Sequence, residues 1–430
     1  MKTFYCYSFG CRVNQAEKEA VDREMQMAGY VVDVRRPDIT IINTCAITHK
    51  AEREAKQLIY KLKRENPGGQ ILVTGCSATY WKKNKLLKDL PIDLVVDNIN
   101  KEFLVKILQK RLSGRALHNL GGYASVGDKY LNSGRALIKI QDGCQRFCSY
   151  CIVPYLRGNP RSEIIQNLEF RIKNLGTNIK EVIFTAINTE AFGFDTGETL
   201  IQLIQQTLTD STVSRISFGS IHPWSINDEF LRYYKKILPL KRLVNFFHVP
   251  IQSGSNKILN LMKRGYSTND ISLKLVKIRK LNPYALIATD VIVGFLDESD
   301  RDFQDTYDFL KKSPISKFHI FRFSNRDNTA AYYMKRNLKE PSVSIKIKRA
   351  KILAKLNKEK FEAFQRLNVG RSSQALFITN REGDYQESII DNQLPVFVET
   401  KSDLNGQLRD IKILEYKNDK LFGKIIEKDG

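Results

Sequence analysis

Seven cysteines carry the most specific chemical signal in this chain of 430 residues. Three of them, Cys144, Cys148 and Cys151, form a CxxxCxxC loop in the run GCQRFCSYC, while Cys6, Cys11, Cys45 and Cys76 are spread over the early part of the chain. Three thiolates in one tight loop can hold three irons of a [4Fe–4S] cluster and leave the fourth iron open as a reaction site. Zinc is the competing reading, but a structural zinc wants four ligands and no fourth Cys or His lies near this loop. Three ordinary buried thiols at this spacing would be a coincidence.

The earlier cysteines share a placement. Cys11, Cys45 and Cys76 end the runs SFGC, INTC and VTGC, each at the close of an apolar, β-branched or aromatic stretch. If those stretches are parallel strands, their carboxyl ends form one rim, and the three thiols can converge on a second cluster with another open iron. Cys6 lies inside the first stretch and reads as a small buried hydrophobe rather than a ligand.

The elements that must position these residues follow from periodicity. Residues 2–9, 39–44 and 70–75 read as short strands separated by helical patterns such as AEKEAVDREMQMAG, which gives an open parallel α/β sheet. A Gly-, Ser- and polar-rich stretch at 113–135 marks a boundary. Six strand candidates follow, LIKIQ, EVIFTAI, RISFGSI, NFFHVPIQ, LIATDVIVGF and FHIFRFS, with helical spacers between them. They suggest a partial (β/α)6 barrel of the TIM type, in which the loop after the first strand opens onto the face where active sites sit. The basic run KIKRAKILAKLNKEK reads as a helix with a solvated face. Four strand candidates beyond 366, SQALFI, LPVFVET, DIKILEY and KLFGKII, suggest a small antiparallel β-barrel or sandwich. The expected units are thus 1–120, 130–362 and 366–430.

Composition narrows the class. Apolar residues make up 42% and charged residues 27%, as in globular domains. No apolar run reaches the roughly 18 to 20 residues of a membrane span, and the start MKTFYCYSFGC lacks a signal-peptide layout, so a cytoplasmic protein is expected. That compartment keeps thiols reduced, which favours metal binding over disulfides. The net charge of +22 suits a polyanionic partner. It is carried by residues 1–120 and 121–362, with surpluses of +8 and +15, whereas residues 363–430 sum to −1.

The motif CxxxCxxC with Tyr150 just before the last cysteine resembles that of radical S-adenosylmethionine (SAM) enzymes. More of the chain, namely GCRVNQAE, NTCAIT, VTGC, QDGCQRFCSYCIVPYLRG, HVPIQSGS, MKRGYS, TDVIVGF and SNRDNTAA, resembles the methylthiotransferase family within that superfamily. The resemblance implies two [4Fe–4S] clusters on Cys144, Cys148, Cys151 and on Cys11, Cys45, Cys76, with SAM on the open iron of the first, and it places Tyr150 and Gln252 as SAM-binding residues. It implies an external electron donor, a tRNA anticodon stem-loop as partner, and a C-terminal TRAM barrel. Family members install a methylthio group on isopentenyladenosine or threonylcarbamoyladenosine of tRNA, or on an aspartate of a ribosomal protein. Radical chemistry suits an aromatic ring carbon, whose hydrogen no side-chain base could remove. GCRVNQAE looks most like the threonylcarbamoyladenosine branch. An iron–sulfur RNA-binding protein without catalysis is the rival class.

Four stretches depart from the family pattern. Its Gly-Phe-Pro-Gly-Glu-Thr reads Gly294, Phe295, Leu296, Asp297, Glu298, Ser299, and its Arg-x-Gly-Thr reads Arg326, Asp327, Asn328, Thr329. Its Ser-Ile-Glu-Pro places His222 at the acidic position, where a satisfied structural histidine is expected. The TRAM stretch Gly-Tyr-Thr-x-Asn-Tyr falls on Ser388 to Gln393 and keeps Asn392 but neither tyrosine, so stacking aromatics are missing there.

Overall fold

In the computed structural model, which describes residues 1–113 and 133–427, the first apolar stretches form a five-stranded parallel sheet. Its strands are β1 (Thr3–Ser8), β2 (Val31–Val32), β3 (Ile39–Thr44), β4 (Gln70–Thr74) and β5 (Leu94–Val96), in the order β2-β1-β3-β4-β5. The edge strands β2 and β5 are absent from the sequence expectation, being only two and three residues long, too short to show a period. Helices α1 (Arg12–Met27) and α4 (Leu104–Ser113) cover one face through Val21, Met25 and Leu108, together with Cys6. The other face is covered by α2 (His49–Glu65) and α3 (Gly75–Lys83) through Ile59 and Trp81. Burial on both faces explains why β3 is apolar at Ile41 and Ile42 alike. The boundary expected within 113–135 falls largely on residues outside those described.

All six strands expected in the central segment form. They are β6 (Arg135–Asp142), β8 (Glu181–Ala186), β9 (Arg215–Phe218), β10 (Phe246–His248), β11 (Leu286–Val293) and β12 (Lys317–Arg322), with a two-residue antiparallel edge β7 (Arg161–Ser162). Parallel pairing runs β6-β8-β9 and β10-β11-β12, and a bridge from Ile216 to Leu243 joins the two sets. Among the described residues β6 and β12 do not pair, so the strands make an open arc. Helices α5 (Val153–Arg157), α6 (Ile165–Lys173), α7 (Leu200–Asp210), α8 (Asp228–Ile237), α9 (Asn256–Leu261), α10 (Thr268–Leu281), α11 (Asp300–Lys312), α12 (Ala330–Met334) and α13 (Val343–Leu367) complete it. Val182, Phe184, Ile287 and Val291 turn outward into the main apolar core with Leu275, Leu310 and Leu353. The opposite, concave face receives α1, whose Ala16 packs on Leu137 and Ile183.

The C-terminal strands β13 (Ser372–Glu382), β14 (Tyr385–Ile390), β15 (Pro395–Glu399), β16 (Leu408–Lys417) and β17 (Lys420–Ile425) close into a small barrel in the order β13-β14-β15-β17-β16. Pairing is antiparallel except between β15 and β17. This barrel docks on the arc through buried polar contacts. Arg215 donates to the carbonyls of Ile389 (2.9 Å) and Gln374 (2.7 Å), and Gln393 donates to Glu181 at 2.8 Å.

Two polar clamps fix the N-terminal sheet to the two ends of the arc. At the β6 end, Arg157 bonds Glu17 of α1 and Asp142 of β6, each at 2.8 Å. At the β12 end, Arg326 bonds Glu52 (2.7 Å) and His49 (2.8 Å), and Tyr80 donates to Asp327 at 2.8 Å.

Candidate metal centres

Cys11, Cys45 and Cys76 stand on one rim because their strands are in register. Ser8 lies opposite Asn43, Asn43 opposite Thr74, and Thr44 bridges Gly75, so the strand ends are level. The glycines of SFGC and VTGC are required by close approach: a Cβ on Gly10 would stand 2.6 Å from Cys45 Sγ, and one on Gly75 would stand 2.3 Å from the Thr44 carbonyl oxygen. Both glycines also adopt a φ of +92°, a conformation L side chains avoid. The three thiols are near enough that charge on one disfavours charge on another. Burial first, then Cys76, pushes Cys45 up to about 12, and burial likewise raises Cys11. Thiolates here therefore call for a cation that displaces the protons.

That positive potential is partly built in. Arg157, 1% exposed, reaches Glu17, Asp142 and, at 2.7 Å, Asn14. Lys101 pairs with Glu17 and donates to Asn43 at 2.7 Å, and Lys139 lies 3.3 Å from Glu17. Burial alone would raise the Glu17 pKa, but Arg157, Lys101 and Lys139 hold it well below the usual range. Arg157, Lys101, Lys139 and the partly exposed Arg161 thus face two carboxylates, leaving a net positive charge beside the thiols. Asn98 adds a donor 3.6 Å from Cys76 Sγ. A donor set of three thiols under a net positive charge fits an anionic iron–sulfur cluster.

The loop holding Cys144, Cys148 and Cys151 leaves β6 at Gly143, where a Cβ would stand 2.0 Å from the Asn159 carbonyl oxygen. Backbone bonds pin the loop: Cys144 N–H donates to Gly158 (3.0 Å), Cys151 N–H to Cys148 (2.9 Å) and Ser149 N–H to Met262 (3.0 Å). Burial first, then Cys148, pushes Cys151 up to about 12. Arg264 donates to Cys148 Sγ at 3.3 Å and to the Tyr150 hydroxyl at 3.2 Å, which again suits thiolate ligands. Tyr150 packs edge-on against Phe295, centroids 6.5 Å apart. Gln252, half-buried, holds a φ of +73° while its backbone bridges Val291, and strained backbone of this kind concentrates at ligand sites. Cys6 joins neither thiol group and is sealed among Phe4, Met25 and Ile39.

Arg157, Arg264, Glu17 and Trp224 are functional candidates that sequence reasoning did not single out. Arg157 and Glu17 lie in the stretches CIVPYLRG and GCRVNQAE, but only the fold shows that they meet. Trp224 is sandwiched by Arg146 and Arg264, at 4.2 and 4.6 Å from its ring centre. His222 lies parallel to Trp224 at 6.2 Å, and burial first, then the Arg264 charge, pushes it down to about 3.

The arc and its three-cysteine loop define a radical SAM enzyme, and comparisons agree. Residues 138–310 match the radical SAM superfamily model, and residues 3–97 match an uncharacterized protein family, UPF0004. The chain is 35% identical over 382 residues to the threonylcarbamoyladenosine tRNA methylthiotransferase of Aquifex aeolicus (strain VF5), covering 86% of this chain and 92% of that one. It is 29% identical to the Bacillus subtilis (strain 168) enzyme of the same name, over 99% and 98%. It is 30% identical to the tRNA-2-methylthio-N(6)-dimethylallyladenosine synthase of Petrotoga mobilis (strain DSM 10674 / SJ95), over 98% and 99%. A solved radical SAM methyltransferase from Kitasatospora setae, with cobalamin and a [4Fe–4S] cluster bound, shares the fold with a TM-score of 0.54 at 12% identity, over 75% of each chain. The chain belongs to the radical SAM methylthiotransferase family and is an enzyme that acts on tRNA, using SAM and an iron–sulfur cluster. No helix among the described residues is long and apolar enough to cross a membrane.

Proposed function

We propose that this enzyme converts N6-threonylcarbamoyladenosine beside the tRNA anticodon into its 2-methylthio derivative in the cytoplasm. The observation that carries the reading is the pair of cysteine triads, one on the rim of the N-terminal sheet and one in the loop after β6. Cys144, Cys148 and Cys151 hold one [4Fe–4S] cluster, and Cys11, Cys45 and Cys76 hold a second. When bound, the first cluster with SAM and an external electron donor would supply a carbon radical that removes hydrogen from the base, the second cluster would supply sulfur, and a second SAM would supply the methyl group. The protein's own part is positional. Arg264 orients Cys148 and Tyr150, Gln252 and Tyr150 border SAM, and α1 carries Cys11 across the concave face toward the β6 loop. Residues 1–120, 130–362 and 366–430 divide these tasks among a sulfur-donor unit, a radical unit and an RNA-facing barrel. The branch is supported by the names of relatives from Aquifex and Bacillus and by GCRVNQAE.

Mass spectrometry of tRNA nucleosides from cells with and without the gene tests the base. Loss of the methylthio derivative of threonylcarbamoyladenosine is expected, and loss of the isopentenyl derivative instead would overturn the assignment. Anaerobically reconstituted protein should bind about eight irons. Cys144→Ala should end 5′-deoxyadenosine release, whereas replacing Cys11, Cys45 and Cys76 together should leave that release and stop methylthiolation. Methylthiolated nucleoside from the triple variant would refute the sulfur-donor role.

A further inference from the structure

Two of the five histidines, His248 and His319, gather with Asp290 on the concave face of the arc, with His222 within electrostatic range. The register explains how. Asp290 on β11 lies opposite His319 on β12, and His248 on β10 lies opposite Ala288, two residues before Asp290, so all three side chains share one face. Asp290 Oδ1 stands 2.9 Å from His248 Nε2 and 3.2 Å from His319 Nδ1. The imidazole centres are 5.3 Å apart. Ser220, at the end of β9, bonds the other nitrogen of His248.

A chain of contacts links this polar wall to the three-cysteine loop. His222, within electrostatic range of His248 and Asp290, stacks on Trp224, which lies against Arg264, the donor to Cys148. Exposure rises outward along the wall, with side-chain values of 11% for His248, 23% for Asp290 and 50% for His319. His248 and Asp290 are spent on each other. His319 directs only Nδ1 at the protein, and among the described residues its Nε2 has no hydrogen-bond partner. With Nδ1–H donating to a carboxylate, the free Nε2 of an imidazole is left as an acceptor. An isopentenyl group against this wall would strip water from an imidazole–carboxylate–imidazole set and return no hydrogen bond. A threonylcarbamoyl group offers a carboxylate, a hydroxyl and a ureido N–H.

We propose that His319, oriented by Asp290 and His248, is the specificity-determining residue that receives the substrate's N6 substituent, its Nε2 accepting from the threonylcarbamoyl hydroxyl. The inference rests on the reading of the base given above. The experiment compares anticodon stem-loops carrying N6-threonylcarbamoyladenosine, N6-isopentenyladenosine or unmodified adenosine, with wild type, His319→Leu and His319→Gln. Affinity for the reconstituted protein and kcat/KM for methylthiolation are both measured. His319→Leu should shrink the preference for the threonylcarbamoyl stem-loop over the unmodified one by about tenfold. His319→Gln, which keeps an acceptor, should restore part of it, and affinity for unmodified RNA should not change. A wild-type preference for isopentenyladenosine would defeat the base assignment itself. A wild-type preference for threonylcarbamoyladenosine that survives in His319→Leu would defeat this inference alone. Metal analysis of cluster-free protein provides a second check, since a divalent ion bound by wild type and absent from His319→Leu would make the wall a metal site instead.

Discussion

Arg157 places one guanidinium among Glu17, Asp142 and Asn14, and the energetics of that arrangement are open to direct measurement. Replacing it with Met leaves two carboxylates buried without their main cation, a loss of about 3–5 kcal/mol. Denaturant unfolding of cluster-free Arg157→Met should show it, and an unchanged midpoint would contradict the account. The pH dependence has a definite sign. Burial would raise Asp142, but Arg157 and Lys139 hold it at about 2, and Glu17 is depressed in the same way. A folded pKa below the unfolded value of about 4 stabilises fully above that value and less as pH falls toward 2. Wild type should therefore lose stability steeply between roughly pH 5 and 2, while Arg157→Met should lose less there.

At the scale of elements, the departures from the family pattern prove conservative in backbone terms. Asp297 and Asn328, which replace family glycines, adopt φ of +57° and +66°. Asp and Asn tolerate this region better than other side chains. Asp297 also bonds the Lys339 carbonyl at 2.7 Å and pairs with Lys257 at 3.0 Å, so the turn is kept by local interactions. Asn328→Val should cost about 1–2 kcal/mol and Asn328→Gly nearly nothing. Thermal melts of the two variants would reveal a misjudged turn if they coincide. The arc strands were legible because β8 and β11 are nearly continuous apolar runs, as parallel strands covered by helices require, and β6 keeps an apolar centre at Ala136, Leu137 and Ile138. Strand β14 was not, because its buried positions are filled by polar side chains. Gln386 and Ser388 are fully buried and donate to the Ile378 and Val396 carbonyls, at 2.9 Å each. Hydropathy reads such a strand as a loop. The cysteine triads were visible as spacing and strand-end position, whereas Arg157, Arg264 and the histidine wall join residues far apart in sequence that only the fold brings together.

The molecule as a whole revises how RNA binding must be tested. Asn392, the retained residue of the TRAM stretch, is fully buried and donates to Tyr284 and Asn368, so it serves docking. Removing residues 366–430 would uncover Arg215 and Glu181 and should destabilise the arc, which confounds a truncation test. Within the basic helix α13, Lys346 and Arg349 are buried in ion pairs with Glu340 and Glu298, while Lys348 and Lys351 are exposed. Reversing Lys348 and Lys351 to Glu should weaken tRNA binding about equally for all sequences and lower the salt slope by about 1 for each phosphate no longer neutralised. Unchanged affinity and slope would place the RNA path elsewhere.

The paired clamps at Arg157 and Arg326 tie the N-terminal sheet to both ends of the open arc, so the gap between β6 and β12 is bridged rather than hinged. An aperture with both rims anchored by buried ion pairs resists widening around a nucleotide still stacked in its loop. Movement then falls to the RNA, which must swing the target base out of the stack at a cost of a few kcal/mol. Selection of tRNA would accordingly begin before any chemical encounter with the substituent, in how readily each anticodon loop releases that base.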